Sequence, residues 1–303
     1  MDRLLYTPWM RQTIIYLSAI LLTILCAAPL FWMALTSIKP DKEILASPPT
    51  FWTGEASLDA YVRLFSTTTF LDYLQNSVTV AAAATILCIF VATLAGYSIT
   101  RFQFWGRETF AATTLFTYMM APIMIVVPFF ILMRGLGLNN SHLGLILGYS
   151  AFALPFSLWL LRSFFQSIPL ELEEAALIDG ATRPQAVRYV IVPLALPGVI
   201  ATSIFTFIVA WNDYLFARIM ISSDRLKTLP VGVQDLMDSS FLDWGVIMAA
   251  GVMVTLPALA FFVVVQRYLV AGWGAGGVKG CPRKFLYLPT LGKVFLVGQN
   301  LYD

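Results

Sequence analysis

Long apolar stretches alternate with short polar connections along most of this chain. Six stretches are apolar enough to cross a bilayer, at about 14–35, 75–99, 109–133, 143–166, 194–217 and 245–270. A bilayer core of about 30 Å needs about 20 helical residues at a rise of about 1.5 Å each. Because backbone groups in lipid must hydrogen-bond within their own segment, each stretch is predicted to be a helix. The pattern therefore predicts an all-α polytopic membrane protein with six transmembrane helices.

Prolines interrupt most of the predicted spans. They are Pro29, Pro122, Pro128, Pro155, Pro197 and Pro257. Neighbouring helices of a membrane bundle can satisfy the carbonyl groups that a proline leaves free. These prolines are therefore predicted to kink the spans, which suits a bundle that opens and closes as well as one that is simply packed.

Composition agrees with the hydrophobic pattern and excludes several other classes of protein. Of the 303 residues, 59% are hydrophobic and only 12% are charged, whereas a soluble domain carries about a quarter charged residues. The net charge of +2 does not suggest a nucleic-acid partner. His142 is the only histidine and the three cysteines lack CxxC spacing, so no metal site is predicted.

Basic residues are unevenly distributed among the connecting segments. They concentrate in the N-terminal segment, in the connections around 100–108 and 162–193, and in the C-terminal segment. Cytoplasmic segments of membrane proteins carry such an excess, so both termini are predicted to be cytoplasmic. The long polar segment 36–74 then lies outside the membrane on the opposite side. Within it, the helical spacing of apolar residues over 58–65 predicts a short surface helix.

The connection between the fourth and fifth spans carries the most informative local pattern. Pro169 suits the first turn of a helix, because the missing N–H is not needed there. Three glutamates follow, near the end where the helix dipole favours negative charge: Glu171, Glu173 and Glu174. Gly180 is predicted to end this helix in a left-handed cap.

A second short helix is predicted to follow at once. Thr182 and Gln185 have the spacing of a capping box, which predicts a helix start at Thr182. Ala175 and Ala176 are expected on the surface of this helix pair. Small side chains there would let the backbone of another protein approach closely.

This loop resembles a known family. The segment Glu174-Ala-Ala-x3-Gly180-x9-Val190-x-Val192-Pro193 is similar to the EAA loop of ABC-importer permeases, EAA-x3-G-x9-I-x-L-P, with valine at the isoleucine and leucine positions. Further matching stretches are Thr36-Ser-Ile-Lys-Pro, Asn76-Ser, Asp179-Gly-Ala, Trp211-Asn-Asp-Tyr-Leu and Gln266-Arg-Tyr-Leu-Val-Ala-Gly. Together they resemble the carbohydrate branch of the family, and in particular maltose-permease G-type subunits, from about residue 12 to Gly280.

The resemblance implies a permease subunit of a binding-protein-dependent importer in a bacterial inner membrane. It implies a second homologous permease subunit, two copies of a cytoplasmic ATPase subunit that binds ATP and Mg²⁺, and an extracytoplasmic substrate-binding protein. It also implies that the EAA helix docks on the ATPase subunit. The residues that match this coupling role are Glu174, Ala175, Ala176, Asp179, Gly180 and Pro193.

The chain itself is not expected to hydrolyse ATP or to bind a cofactor. A P-loop needs G-x4-G-K-[ST], and the glycine-rich stretch 272–280 fails that spacing. The family resemblance implies instead that Gly276, Gly277 and Lys279 form a second contact with the ATPase subunit; a plain flexible end is the alternative. Residues 1–280 are thus interpreted as one transmembrane domain. Residues 281–303 are an unassigned extension, either natural or added in cloning.

Candidate substrate contacts lie in two spans. Trp211, Asn212, Asp213 and Tyr214 combine aromatic faces with hydrogen-bonding groups at the outer end of the fifth span, a mixture that suits sugars, although aromatic residues are also common at membrane interfaces. In the third span, Met119 and Met120 would line an apolar gate or pack in the core.

The predicted cargo is a sugar or oligosaccharide. An anionic cargo, such as a uronic-acid oligosaccharide or a glycerol-phosphate diester, is the alternative within the importer hypothesis. A self-contained secondary transporter would need internal repeats and charges within the spans. Asp213 is nearly the only such charge and no repeat is evident, so the sequence disfavours that class.

Overall fold

The computed structural model describes residues 8–48, 50–120, 122–239, 242–277, 284–288 and 293–297. Most of them are helical. The α-helices are α1 (Pro8–Ser37), α2 (Asp41–Ile44), α3 (Asp59–Thr67), α4 (Phe70–Arg101), α5 (Arg107–Tyr118), α6 (Pro122–Gly135), α7 (His142–Gln166), α8 (Leu170–Ile178), α9 (Arg183–Ala186), α10 (Val192–Leu194), α11 (Leu196–Asn212), α12 (Leu215–Met220), α13 (Leu229–Met237) and α14 (Trp244–Gly277). A π-helical turn (Val187–Ile191) and a 3₁₀ turn (Asp224–Leu226) complete the helical structure of these residues.

Four of the predicted spans are continuous helices. Among the described residues, α1, α4, α7 and α14 each contain a segment long and apolar enough to cross a membrane. These helices extend beyond the predicted spans 14–35, 75–99, 143–166 and 245–270 by up to seven residues at an end. Pro29, Pro155 and Pro257 lie inside three of these helices, which continue through them.

The other two predicted spans are broken. In the third, α5 and α6 meet at an angle of 101°, and in the fifth, α11 is bent by 75° from the helical segment Arg183–Leu194 that precedes it. Pro122 and Pro197 lie in the first turn of the helix that follows each break. A proline in the first turn starts a new helix readily, because its missing N–H is not needed there. The chain therefore has up to six spans in its described part, two of them bent. The predicted fifth span is also too long, because α11 ends at Asn212.

The chain divides into two compact units. One comprises residues 1–74 and 228–258, and the other comprises residues 75–227 and 259–303. In the first unit the predicted surface helix is present as α3, with Leu64 buried and Val62 exposed. Arg63 on α3 forms ion pairs with Asp41, at 2.8 Å, and with Asp243, at 2.9 Å. These pairs link three segments that are distant in the sequence.

In the second unit α7 is the central helix. One of its faces is buried along its whole length, from Leu145 to Phe165. At Gly148 the ring of Phe216 lies so close that an added Cβ would be 2.3 Å from Cε1 of that ring. Only glycine permits this packing of α12 against α7.

The described part of the extension contains two strands, β1 (Lys284–Leu288) and β2 (Lys293–Val297). They pair antiparallel, with Lys284 opposite Val297. The sequence pattern did not predict this hairpin, which lies after the transmembrane helices.

Candidate functional site

The predicted helix of the EAA-like loop is α8. Pro169 precedes it, and Gly180 follows with a φ of 91°, as predicted. Two backbone bonds close its end: Ala181 N–H donates to Ala176 O and Gly180 N–H donates to Leu177 O, both at 3.0 Å. This pair of bonds is the Schellman arrangement, which requires the left-handed residue that glycine supplies.

The second helix of the loop starts where the capping box predicts. Gln185 Oε1 accepts a hydrogen bond of 2.8 Å from the Thr182 backbone N–H, and α9 begins at the next residue. The helix then widens into the π-turn, in which Val192 N–H donates to Val187 O five residues earlier. Pro193 follows and has no N–H to continue the normal ladder. The loop thus runs through α9, the π-turn and α10 to the bend before α11.

Glu173 connects α8 to α4. Its side chain is buried, with a relative exposure of 4%. Tyr97 Oη donates a hydrogen bond of 2.5 Å to Glu173 Oε1, and Arg101 Nε lies 3.1 Å from Glu173 Oε2. Arg101 Nη2 also donates to Ile168 O at 2.9 Å, just before α8. We call Tyr97, Arg101 and Glu173 the Glu173 cluster.

The Glu173 cluster makes α8 a fixed extension of the helix bundle. A buried ion pair is stable only when its geometry and hydrogen bonds offset the loss of hydration. Here one carboxylate oxygen accepts the Tyr97 hydrogen bond and the other faces the Arg101 charge. Tyr97 also belongs to a group of buried apolar residues that joins the end of α7 to the π-turn. The other members are Ala92, Leu161, Phe165, Ile168, Ile191 and Ala195. Leu172 of α8 packs against these apolar residues, so α8 contacts the bundle on both its polar and its apolar side.

The coupling residues predicted from the sequence lie on both sides of α8. Glu174, Ala175 and Gly180 are exposed, and Pro193 is exposed farther along the loop. Asp179 is half-buried. Ala176 is buried, at 9% exposure, so its expected surface position is wrong. It lies one turn after Glu173 and shares the inward face of the helix.

Two features of α8 were not predicted from the sequence. The Glu173 cluster was not predicted, although three glutamates in one turn of a short helix indicate that one of them faces inward. Ile178 was also missed; its side chain is 87% exposed at the end of α8. Together with Glu174 and Ala175 it forms an outward surface of mixed character on this helix.

The four residues predicted after the fifth span have different surroundings. Trp211 is buried and stacks on Phe207, with ring centroids 5.6 Å apart. Asp213 Oδ2 accepts hydrogen bonds of 3.0 Å from Tyr149 Oη and from the Ala217 N–H, so it caps α12. Asn212 is exposed and Tyr214 is 37% exposed. Asn212 and Tyr214 are thus the accessible members of this group.

Met119 and Met120 lie at the break between α5 and α6. Both are exposed, at 77% and 43%, so neither packs in the core of this chain. At the other end of the chain, Gly276 and Gly277 are the last residues of α14, whereas Lys279 lies outside the described residues. Over the ranges that the structure describes, no group of histidine, cysteine and carboxylate side chains could hold a metal ion.

The sequence of this chain is similar to those of known transport proteins. Residues 88–274 match the family described as binding-protein-dependent transport system inner membrane component. The chain is 37% identical to the inner membrane ABC transporter permease protein YcjP of Escherichia coli, over 88% of this chain and 95% of that protein. It is 34% identical to the trehalose/maltose transport system permease protein MalG of Thermococcus litoralis, over 89% of this chain and 98% of that protein.

A solved structure shares the fold. It belongs to a bacterial ABC transporter involved in the import of the acidic polysaccharide alginate, and it superposes with a TM-score of 0.75 at 24% identity, covering 87% of this chain and 99% of the other. The predicted resemblance to ABC-importer permeases is therefore confirmed by sequence and by fold. The chain belongs to the family of binding-protein-dependent transport system inner membrane components, and it is a multi-pass permease subunit.

Proposed function

We propose that this permease subunit forms one half of a pathway that carries a sugar or oligosaccharide into a bacterial cell. Its similarity to a trehalose/maltose permease over nearly its whole length supports this cargo class. The similarity to the alginate importer is too low in identity to favour an anionic cargo. The energy comes from hydrolysis of ATP on a partner ATPase subunit, which binds ATP and Mg²⁺. This chain has no catalytic role.

The observation that carries the proposal is the attachment of α8 through the Glu173 cluster. The ATPase subunit binds the surface formed by the exposed Glu174 and Ala175 and the half-buried Asp179, next to the Gly180 turn. Closure of the ATPase then moves α8, and the buried Glu173 carboxylate transmits the movement to α4. Ala176 contributes by packing inward, and Pro193 fixes the direction of the chain as it enters α11.

The two ends of α7 are proposed to lie on opposite sides of the membrane. α8 follows the C-terminal end of α7, whereas Asp213 contacts Tyr149 near the N-terminal end. At 1.5 Å per residue, the helix separates the two sites by about 25 Å, close to the thickness of a bilayer core. With α8 and both termini in the cytoplasm, Asn212 and Tyr214 face the outer side and are the proposed sugar contacts. Asp213 holds α12 in place beside them.

Other subunits complete the transporter. We assign it a second homologous permease, two copies of the ATPase subunit and an extracytoplasmic binding protein. Gly276, Gly277 and Lys279 at the end of α14 are proposed as an additional ATPase contact. Met119 and Met120, exposed in this chain, are proposed to close the pathway against the second permease. The apolar surface of α1, exposed over residues 12–32, suits lipid.

Reconstituted transport tests the proposal. Proteoliposomes containing all subunits should accumulate radiolabelled trehalose or maltose only when ATP and the ATPase subunit are present. Gly180→Val should abolish this uptake while ATP hydrolysis continues, because valine cannot readily adopt the left-handed φ of the cap. The hypothesis of a self-contained secondary transporter predicts uptake without ATP.

Gly137→Val is the matched control. Gly137 ends α6 with a φ of 71°, and an added Cβ meets nothing within 4 Å at either glycine. Its neighbours make the same pair of bonds, Leu138 N–H to Met133 O and Gly137 N–H to Arg134 O. It lies outside the coupling loop, so its substitution should preserve coupling. Normal uptake by Gly180→Val, or equal loss in both variants, would contradict the role of the α8 turn.

A further inference from the structure

The first unit contains a cavity that the coupling mechanism does not use. It has a volume of about 200 Å³ and lies between the end of α1, residues 39–45, Thr50 and the start of α14. We call it the outer cavity, because the orientation proposed above places it on the extracytoplasmic side. The polar and aromatic residues that line it are Trp32, Thr36, Lys39, Glu43, Thr50 and Trp244.

Three polar atoms in the walls of the outer cavity are buried without a partner. They are Thr36 Oγ1, Glu43 Oε2 and Thr50 Oγ1, and none has a hydrogen bond to another described residue. Thr36 as a whole is only 6% exposed. An unsatisfied buried group of this kind destabilises a protein by about 1–3 kcal/mol. Three of them around one space indicate that a polar ligand or ordered water fills it.

The charged groups of the outer cavity disfavour an ionic ligand. Lys39 is 5% exposed, its ammonium group donates to Thr50 O, and it lies 4.8 Å from the ring centroid of Trp32. Glu43 brings a negative charge to the same walls. An anion would be attracted by Lys39 but repelled by Glu43, and a cation would experience the reverse. A neutral ligand with several hydroxyl groups avoids both penalties.

We propose that the outer cavity is a binding subsite for one ring of a neutral sugar. Hydroxyl groups of the sugar would donate to Glu43 Oε2 and exchange hydrogen bonds with Thr36 and Thr50. The indole rings of Trp32 and Trp244 offer apolar faces for its C–H groups. The proposal rests on the proposed function, because it assigns a second contact to the same cargo, far in sequence from Asn212.

Photolabelling of the assembled transporter tests the subsite. Trehalose and maltose carrying a diazirine group are irradiated with the complex in lipid nanodiscs, and labelled peptides are mapped by mass spectrometry. We expect label on the cavity walls, near Trp32, Glu43 or Trp244, that free sugar displaces. Thr36→Val should reduce this label by about fivefold, the effect of one lost hydrogen bond. Glu43→Gln should reduce it as well.

Thr228→Val is the matched control. Thr228 is also in the first unit, is 3% exposed, and its hydroxyl has no hydrogen-bond partner among the described residues. It does not line the outer cavity, so its substitution should leave the label unchanged. Retention of the ATPase subunit during purification verifies that each variant assembles.

The possible outcomes separate the subsite from its alternatives. Label that maps elsewhere, or that Thr36→Val does not change, would mean that the cavity holds only water. Displacement by glycerophosphoethanolamine but not by free sugar would identify a lipid-headgroup site, and the proposal would fail. Uptake is measured in a separate experiment. If the proteoliposomes accumulate neither sugar, the proposed function is contradicted. If they accumulate sugar but the cavity is not labelled, only the subsite is contradicted.

Discussion

The Glu173 cluster and the outer cavity both bury polar groups, but they differ in how those groups are paired. In the cluster, Glu173 Oε1 accepts a hydrogen bond of 2.5 Å from Tyr97, and Glu173 Oε2 faces Arg101 Nε at 3.1 Å in an ion pair that lacks hydrogen-bond geometry. In the cavity, Glu43 Oε2 and two threonine hydroxyls have no hydrogen-bond partner within the part of the chain that the structure describes. A buried charge that faces an opposite charge holds two elements in one arrangement, whereas unpaired polar groups around a space favour a ligand. The first region therefore holds α8 against α4, whereas the second leaves polar atoms unpaired in the wall of a space.

Glu173→Ala should give the largest effect, because it removes one partner of a buried ion pair. The remaining Arg101 charge would be uncompensated, and we expect the free energy of unfolding to fall by about 3–5 kcal/mol. Denaturation of the purified transporter in SDS measures the change. Glu171→Ala is the control, since Glu171 lies on the same helix but is exposed. Equal effects of the two variants would contradict the structural role of the cluster.

Tyr97→Phe should give a smaller loss in the same assay. It removes the hydrogen bond to Glu173 Oε1 but leaves the ion pair, and a bond to a charged group contributes about 1.5–3 kcal/mol. Tyr61→Phe in the first unit provides the comparison. Tyr61 Oη is 2.8 Å from the neutral Ser37 Oγ, so its loss should amount to about 0.5–1.5 kcal/mol. A Tyr97→Phe effect no larger than that of Tyr61→Phe would mean that the charge on Glu173 adds nothing.

The sequence predicted those parts of the fold that depend on local properties. Span positions follow from length and hydrophobicity, and both are properties of a continuous segment. The breaks before α6 and α11 were missed because Pro122 and Pro197 were interpreted as kinks within helices. Their positions are equally typical of helix starts. Only the packing of the bundle decides between a kink and a break.

The sequence predicted the local geometry of the EAA-like loop but not its tertiary contacts. The Gly180 cap was predictable, because a left-handed residue after a short helix is a local requirement. The burial of Glu173 was not, because Tyr97, its partner, lies 76 residues earlier in the chain. The same limit applies to the outer cavity, where Thr36 and Trp244 meet only in the folded first unit.

Thr36→Val should change the free energy of unfolding least, and it tests most directly whether the outer cavity differs from the Glu173 cluster. Without sugar, the Thr36 hydroxyl is buried and unpaired, so replacing it with a methyl group should leave the free energy of unfolding unchanged or raise it slightly. Thr53→Val should lower it by about 1 kcal/mol, because Thr53 Oγ1 exchanges hydrogen bonds with the backbone of Glu55 at 3.0 Å and 3.2 Å. Both threonines are buried in the same unit, so the difference between the variants isolates the hydrogen bonds. Adding sugar should stabilise the wild type more than Thr36→Val. If Thr36→Val is as damaging as Thr53→Val in the absence of sugar, its hydroxyl already has a permanent partner, and the outer cavity is a structural water site, not a binding site.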